Sequence, residues 1–170
     1  TLQEAARRVR YAALAEMAEA AEAERIATAH TLDDQAETVL LRLLRGSGPS
    51  GLGGIPERSP DGRIVRPLLR LPRAEIERFA LAWGLLWRED ASNRDPAYAR
   101  ARLRRDWLGG FAGAFNPQWL RAIGDLAEAQ RRDAEWIGSE VDRALAERTS
   151  LAEGELRLAR DGWSELPEAL

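Results

Sequence analysis

Cysteine and lysine are both absent from this 170-residue chain, and methionine occurs once, at Met17. The lack of cysteine excludes disulfides, thiolate-ligated metals and thiol catalysis within the sequence, and it leaves cytoplasm as the default compartment. The lack of lysine excludes a Schiff-base or Walker lysine, so phosphate chemistry here must use arginine, backbone N–H groups or a metal ion. No apolar run approaches the roughly 18 residues that a membrane span needs, and we therefore expect no membrane partner.

Charge is distributed unevenly along the chain. The 25 basic residues are all arginine and face 28 acidic ones, which gives a net charge of −3. Residues 57–105 carry 12 arginines against 7 acids, a local charge of +5, and both flanks are acidic. The overall acidity argues against a general nucleic-acid binder. The basic middle favours one local anionic partner, and a solvated arginine-rich surface is the alternative.

Hydrophobic periodicity predicts a helix-rich α/β fold. Residues 2–23 match one amphipathic helix, residues 25–30 a buried strand, and residues 31–45 a second helix. Thr31 or Asp33 can cap this second helix, and the spacing of Thr31 and Asp34 approximates a capping box. A flexible glycine-rich loop is predicted over 46–56, and further strands are predicted over 64–69, 85–88 and 155–159. Further helices are predicted over 74–83, 99–108 and 117–148. The helix over 99–108 is expected to break at the glycine pair 109–110. Alternating strands and helices imply a parallel sheet.

The first predicted strand has no strand before it, whereas a buried parallel strand needs a neighbour on each side. The chain also begins at Thr1 rather than at methionine. We therefore expect these residues to be the C-terminal portion of a longer protein.

The densest polar cluster lies between the first strand and the second helix, at His30, Asp33, Asp34 and Glu37. Ligands bind at such strand ends in open α/β sheets. Glu37 can face either aspartate across one helical turn, and such carboxylates suit Mg²⁺ held together with substrate phosphates. Simple stabilisation of the helix N-terminus is the alternative for the two aspartates. A carboxylate–metal hydrolase built on His30 is a weaker reading, because one histidine supplies too few nitrogen ligands.

Arginines cluster again at Arg100, Arg102 and Arg104. Helical spacing places Arg100 and Arg104 on one face and Arg102 on another. Guanidinium forks suit phosphate groups, and a solvated basic face is the alternative. The G-x-G-x-x-G pattern over 46–51 follows a helix rather than a strand, so it is not a dinucleotide-binding fingerprint.

Taken together, these segments resemble the tRNA(Ile)-lysidine synthase family of PP-loop ATPases. The resemblance covers residues 5–108 strongly and is carried by the runs 6–14, 26–38, 40–52, 66–69, 89–93 and 98–104. It implies the C-terminal part of a PP-loop ATPase domain with a Rossmann-like parallel sheet over 1–108, followed by a helical domain over 109–170.

The resemblance also implies a reaction. ATP adenylates the C2 oxygen of the wobble cytidine in tRNA(Ile), and the amine of free lysine then displaces AMP. The implied cofactors are ATP and Mg²⁺, and the implied partners are the anticodon region of tRNA(Ile) and free lysine. The resemblance leaves a homodimer as one possible oligomeric state.

The resemblance implies roles for seven residues. Catalytic or base-contacting roles fall to Asp34, Glu37 and Arg102, with Asp34 also a candidate Mg²⁺ ligand. Nucleotide-binding roles fall to His30, Asp33, Arg100 and Arg104.

Two departures from the family pattern matter. The sequence contains no Ser-Gly-Gly-x-Asp-Ser pyrophosphate loop, and Ala101 stands where asparagine is usual. We therefore expect little ligase activity from this chain alone. Two alternatives remain at this stage: a tRNA cytidine thiolase of the same superfamily, against which the absence of cysteine weighs, and a non-catalytic tRNA-binding or structural fragment.

Overall fold

The computed structural model describes residues 2–88, 98–152, 155–159, 161–163 and 166–167. The chain is helix-rich α/β, as predicted. Its elements in order are α1 (Leu2–Ala20), β1 (Ile26–Ala27), α2 (Leu32–Leu43), α3 (Pro49–Leu52), β2 (Ile64–Val65), α4 (Arg73–Ala82), α5 (Ala99–Leu103), a π-helical turn (Arg104–Leu108), α6 (Gly109–Ala114), α7 (Trp119–Arg148), β3 (Thr149–Ala152) and β4 (Glu155–Leu158).

A small parallel sheet forms from β1 and β2. Ile26 pairs with Ile64 and Ala27 with Val65, and the N–H of Thr28 extends the pairing by donating to the carbonyl of Val65 at 2.9 Å. The predicted parallel pairing is therefore confirmed. The prediction that the first strand is buried is wrong, because Ala27 is exposed and, among the described residues, β1 pairs along one edge only.

The core lies where α2 packs on α3 and α7. Helix α2 buries Leu32, Ala36 and Val39, and α7 contributes Ala127. Gly124 of α7 permits this contact, because a Cβ built there would lie 2.7 Å from Leu32 Cδ1. The second helix and the predicted long helix are thus the two halves of one packing interface.

Two predicted elements differ from the structure. The predicted strand over 85–88 is irregular and exposed, because no described strand lies beside it to pair with. The predicted helix break at Gly109 and Gly110 is also wrong, since α5, the π-helical turn and α6 follow one another without interruption. A Cβ at either glycine would meet open space, so neither marks a tight turn.

Helix α7 leads directly into an antiparallel hairpin. Strand β3 pairs with β4, with Thr149 opposite Leu158. The sequence predicts β4 but not β3, which continues the periodic pattern of α7 without a breaker residue. In the described portion of the chain, no helix has the length and apolarity needed to cross a membrane.

Candidate functional site

Helix α2 begins at the carboxyl end of β1 with a capping box. Thr31 Oγ1 accepts the N–H of Asp34 at 3.4 Å, and Asp34 Oδ2 accepts the N–H of Thr31 at 2.9 Å and its hydroxyl at 3.0 Å. The predicted capping box is therefore confirmed. It satisfies two backbone donors at the helix start and holds the Asp34 carboxylate at the sheet edge where open α/β proteins bind ligands.

Asp33 connects α2 to α4. Its Oδ2 accepts the N–H of Arg73, the first residue of α4, at 2.7 Å. A carboxylate at this end of a helix also interacts favourably with the helix dipole. The bond fixes α4 as the second wall of the site, although 40 residues separate its two partners.

Glu37 is fully buried one helical turn after Asp33. Arg104 Nε donates to Glu37 Oε1 at 2.7 Å, and Arg100 Nε lies 3.8 Å from Glu37 Oε2. The prediction that Arg100 and Arg104 share one face is therefore confirmed. Glu37 Oε2 receives no hydrogen bond from the described residues, so the buried carboxylate is only half satisfied.

Burial raises the pKa of Glu37, and the nearby charge of Asp34 raises it further. The hydrogen bond and charge of Arg104 oppose this rise, with a smaller contribution from Arg100. Burial therefore outweighs the two arginines, and the pKa of Glu37 stays above its ordinary value.

Arg100 extends the network along α2. Its Nη2 donates to Thr38 Oγ1, whose hydroxyl in turn donates to the carbonyl of Asp34 at 2.7 Å. Arg104 opens the π-helical turn, and single π-turns within helices often occur at functional sites. Both arginines thus lie against the carboxylate-bearing face of α2.

Between α2 and α4 lies a cavity of about 390 Å³, which we call the charged cleft. One wall is apolar and includes Leu68, Ile76 and Trp87. The polar lining residues are Thr31, Asp33, Asp34, Arg73, Glu77 and Arg104. Three carboxylates and two guanidinium groups therefore face an apolar wall across a space large enough for a small molecule.

The predicted site residues divide into three groups. Asp33, Asp34 and Arg104 line the charged cleft, and Glu37 and Arg100 support it from behind. Arg102 is exposed on α5 and does not line the cleft. The predicted family run over residues 89–93 lies outside the described residues.

His30 lies beside the cleft, half-buried. Its Nδ1 is 3.0 Å from Thr28 Oγ1. Burial lowers the pKa of His30, Asp34 raises it, and the charges of Arg66, Arg7 and Arg100 lower it again. The imidazole is therefore neutral near pH 7.

The glycine-rich segment is held in place, contrary to the prediction of a flexible loop. Gln35 Oε1 accepts the N–H of Ile55 at 2.6 Å, and Gln35 Nε2 donates to the carbonyl of Ile55 at 3.2 Å. Arg42 Nη1 donates to the carbonyls of Gly51 and Gly54 at 2.8 and 2.9 Å. We call Gln35, Arg42 and Arg131 the loop clamp, because Arg131 Nη2 of α7 donates to the carbonyls of Gly53 and Ile55.

The loop clamp requires glycine at position 54. Gly54 has φ +64°, and a Cβ there would lie 2.6 Å from Gln35 Oε1. The segment is therefore part of the scaffold, bonded both to α2 and to Arg131 of α7. Sequence reasoning missed Gln35, since a glutamine in a helix gives no signal of a distant backbone partner.

Arg66 is a second residue that the sequence did not single out. It follows β2, is buried, and donates from Nη1 to the carbonyl of Pro56 at 2.7 Å. Arg66 lies in the run 66–69, which carries part of the family resemblance, and this resemblance was the only signal in the sequence that pointed to Arg66.

Asp33 and Asp34 are the candidate metal ligands in the charged cleft. Within the described ranges, no group of three or more histidine, cysteine or acidic side chains is arranged to hold a metal. The capping box and the bond to Arg73 occupy Oδ2 of Asp34 and of Asp33. This arrangement fits an ion that takes one or two carboxylates and completes its shell with phosphate oxygens and water, as Mg²⁺ does.

A comparison with family models matches residues 1–109 to the PP-loop domain. The printed sequence has no Ser-Gly-Gly-x-Asp-Ser segment. The match nonetheless gives no support to the prediction that the pyrophosphate loop is missing from this chain.

Curated relatives are similar over most of the chain. A protein named tRNA(Ile)-lysidine synthase from Solibacter usitatus is 42% identical over 90% of this chain and 34% of its own length. A protein of the same name from Symbiobacterium thermophilum is 42% identical over 99% of this chain and 33% of its own. Another protein of that name, from Methylobacterium nodulans, is 43% identical over 99% of this chain and 50% of its own length. The chain thus spans about a third to a half of the length of these relatives.

Proposed function

This chain belongs to the PP-loop domain family, and from that premise we propose that it is part of an ATP-dependent ligase that joins lysine to the wobble cytidine of tRNA(Ile). The charged cleft is the observation that carries the proposal: Asp33, Asp34 and Arg104, together with the Arg73–Glu77 ion pair, face an apolar wall at the carboxyl end of β1. The printed names of the relatives support the tRNA(Ile) and lysine substrates.

The lining of the cleft suits an amine with an alkyl stem. Asp33 and Asp34 attract an ammonium group, and Leu68 and Ile76 offer apolar contact to methylenes. Trp87 adds a ring face on which a pyrimidine can stack. Free lysine and a cytosine base together present these features.

In the proposed reaction the cytosine C2 oxygen attacks the α-phosphorus of ATP, and pyrophosphate leaves. The lysine ε-amine then attacks C2, the C–O bond breaks, and AMP leaves with that oxygen. Arg104 stabilises the developing phosphate charge, and Asp34 accepts the proton that the ammonium group loses before attack. Mg²⁺, held by Asp34 and Asp33, would neutralise phosphate charge when bound.

The other candidate residues take supporting roles in this proposal. Glu37 is buried behind Arg104, so it positions that guanidinium rather than touching substrate. Arg100 and His30 flank the nucleotide, and Arg102, exposed on α5, contacts the tRNA. We also propose a domain boundary between residues 108 and 109, with the anticodon region bound across it.

Ligand binding is the primary test, because the sequence holds no Ser-Gly-Gly-x-Asp-Ser segment and we expect low turnover from these 170 residues. Lysine and norleucine, which lacks the ε-ammonium group of lysine, are titrated calorimetrically into the chain with Mg-ATP present. Lysine should bind, and norleucine should bind at least about tenfold more weakly.

Asp34→Asn keeps an oxygen for the capping box and removes the charge, so it should abolish this preference for lysine. Asp61→Asn, at an exposed turn outside the cleft, is the matched control and should preserve it. Equal binding of both amino acids, or an unchanged preference in Asp34→Asn, would contradict the proposal.

A further inference from the structure

Thr38 connects the buried carboxylate of α2 to helix α5. Its hydroxyl donates to the carbonyl of Asp34 at 2.7 Å, one helical turn earlier, and the same oxygen accepts Nη2 of Arg100. A threonine hydroxyl carries one proton, so its donation to Asp34 leaves only acceptor capacity for Arg100. Thr38 is half-buried and does not line the charged cleft, and the family resemblance gave it no role.

Arg100 bypasses a stronger acceptor to reach Thr38. Its Nε lies 3.8 Å from Glu37 Oε2, which is within ion-pair distance but beyond hydrogen-bond distance. Oε2 is buried and accepts no hydrogen bond from the described residues. A guanidinium group bonds a carboxylate more strongly than a neutral hydroxyl, because both partners are then charged. The position of Arg100 therefore needs a restraint, and Thr38 supplies the hydrogen bond that Arg100 makes there.

This separation determines how the charge of Glu37 is shared. With Arg100 bonded to Thr38, the described donor to Glu37 is Nε of Arg104, at 2.7 Å from Oε1. Arg104 lines the charged cleft, whereas the side chain of Arg100 remains 43% exposed. If Arg100 closed on Oε2, two guanidinium groups would compete for one buried carboxylate, and Arg100 would be drawn inward. The hydroxyl of Thr38 therefore affects the placement of both arginines.

We propose that Thr38 is a positioning residue, whose hydroxyl holds the guanidinium of Arg100 away from Glu37 and so leaves that carboxylate to Arg104. Arg100 then keeps its other N–H groups for a ligand. The effect on ligand binding rests on the proposed function, in which Arg100 flanks the nucleotide. The positioning of Arg100 does not require that function, so the two are tested by separate measurements.

Nuclear magnetic resonance of arginine Nε–H groups tests the positioning in the 170-residue chain. Arg100→Met keeps the stem and removes the guanidinium, so the signal that it loses belongs to Arg100. Thr38→Val keeps the shape of the side chain and removes the hydroxyl. In this variant Arg100 Nε–H should bond Glu37 Oε2, so its proton signal should move downfield and exchange more slowly with water. Thr38→Ser, which retains a hydroxyl, should leave the signal in place, and adding Glu37→Gln to Thr38→Val should reduce the shift.

Thr149→Val is the matched control. Thr149 Oγ1 donates to the carbonyl of Leu145 at 2.7 Å, which is the same bond to the residue four positions earlier, but it accepts no arginine among the described residues. The control should leave the Arg100 signal unchanged. An Arg100 signal that does not move in Thr38→Val, or that moves equally in Thr149→Val, would overturn the proposal. If Thr38→Val does not fold, Thr38→Ala, which also lacks the hydroxyl, is judged by the same criterion.

Calorimetry with Mg-ATP tests the consequence for binding. Thr38→Val should weaken binding by about fivefold or more, and Thr38→Ser by less than about twofold. Because Thr38 acts through Arg100, adding Thr38→Val to Arg100→Met should weaken binding no further. Equal weakening by Thr38→Val with and without Arg100 would contradict the proposal. If Arg100→Met binds Mg-ATP as well as the unmodified chain, the nucleotide role of Arg100 in the proposed function fails, and the Arg100 signal alone decides whether Thr38 positions that side chain.

Discussion

Helix α2 separates two polar regions, the loop clamp and the charged cleft, that satisfy their polar groups to different extents. Gln35 uses both its amide nitrogen and its amide oxygen in hydrogen bonds to one loop residue. Glu37, equally buried and about half a helical turn away, leaves Oε2 without a hydrogen bond from the described residues. Complete pairing is typical of scaffold, and incomplete pairing of a buried charge is typical of sites that act on ligands.

The comparison predicts that stability depends mainly on the clamp and ligand binding mainly on the cleft. Four substitutions probe this division, and they are ordered by the expected size of their effect on folding.

Gly54→Ala should have the largest effect. The change forces alanine into a left-handed conformation and places its Cβ against Gln35, so we expect a loss of about 3 kcal/mol in the free energy of unfolding. Gly46→Ala is the matched control, because Gly46 also has positive φ but an added Cβ meets nothing within 4 Å. It should cost about 1 kcal/mol. Urea unfolding measures both, and equal losses would show that the clamp does not confine position 54.

Gln35→Ala should come next. It leaves the N–H of Ile55 without its side-chain partner and leaves the carbonyl of Ile55 bonded to Arg131 alone, and we expect a loss of about 2 kcal/mol. Gln130→Ala, on the half-exposed surface of α7, should change stability by less than about 0.5 kcal/mol. Lysine binding per folded molecule should not change in Gln35→Ala. A stable protein with impaired lysine binding would reverse the division between the two regions.

Glu37→Gln should cost less, within about 1 kcal/mol, because removing a half-satisfied buried charge offsets the weaker bond to Arg104. The pH dependence gives a sharper result. The pKa of Glu37 is raised in the folded state, so between its ordinary value of 4.5 and the folded value the folded chain binds more protons than the unfolded chain. Glu37 therefore contributes to the free energy of unfolding fully below pH 4.5, and this contribution falls as the pH rises from 4.5 through the folded pKa of Glu37.

Glu37→Gln should remove that fall, and unfolding curves taken from pH 4 to pH 8 would show it. Glu147→Gln, an exposed carboxylate on α7, serves as the control and should leave the pH profile unchanged. A loss larger than that of Gln35→Ala would mean that Glu37 is as structural as the clamp.

His30→Asn should have the smallest effect, confined to mild acid. The pKa of His30 is lowered, chiefly by burial, so just below its ordinary value of 6.5 the unfolded chain binds a proton that the folded chain does not. The contribution of His30 to the free energy of unfolding is therefore complete above pH 6.5, and it falls as the pH drops through the folded pKa of His30. His30→Asn should flatten the profile in that window, and a profile that keeps its slope would assign the slope to another group.

The sequence predicted those parts of the site that depend on local spacing. The capping box between Thr31 and Asp34 and the shared face of Arg100 and Arg104 both follow from positions three or four residues apart. The parallel pairing of β1 and β2 followed from the alternation of elements. These features need no knowledge of what packs against them.

The missed features depend on partners distant in sequence. The bond between Gln35 and Ile55, the bond from Arg73 to Asp33 and the bond from Arg66 to Pro56 are tertiary contacts, and no periodicity encodes them. The expected strand over 85–88 failed for the same reason, since an apolar run becomes a strand only where a neighbour is available. The flexible-loop prediction failed because glycine was taken as a sign of freedom rather than of close approach.

The sequence separations of these contacts also set an order of assembly. Gln35 and Ile55 are 20 residues apart, whereas Glu37 and Arg104 are 67 apart. Closing the shorter loop loses less chain entropy, so the bonds between Gln35 and Ile55 can form while α5 is still unfolded. A folding intermediate in which α2 and the glycine-rich segment have folded would lack the contacts of Arg100 and Arg104 with Glu37. Amide protons of Ile55 should then become protected from exchange before those of α5, and the cleft acquires Arg104 only when the helical segment after α4 folds.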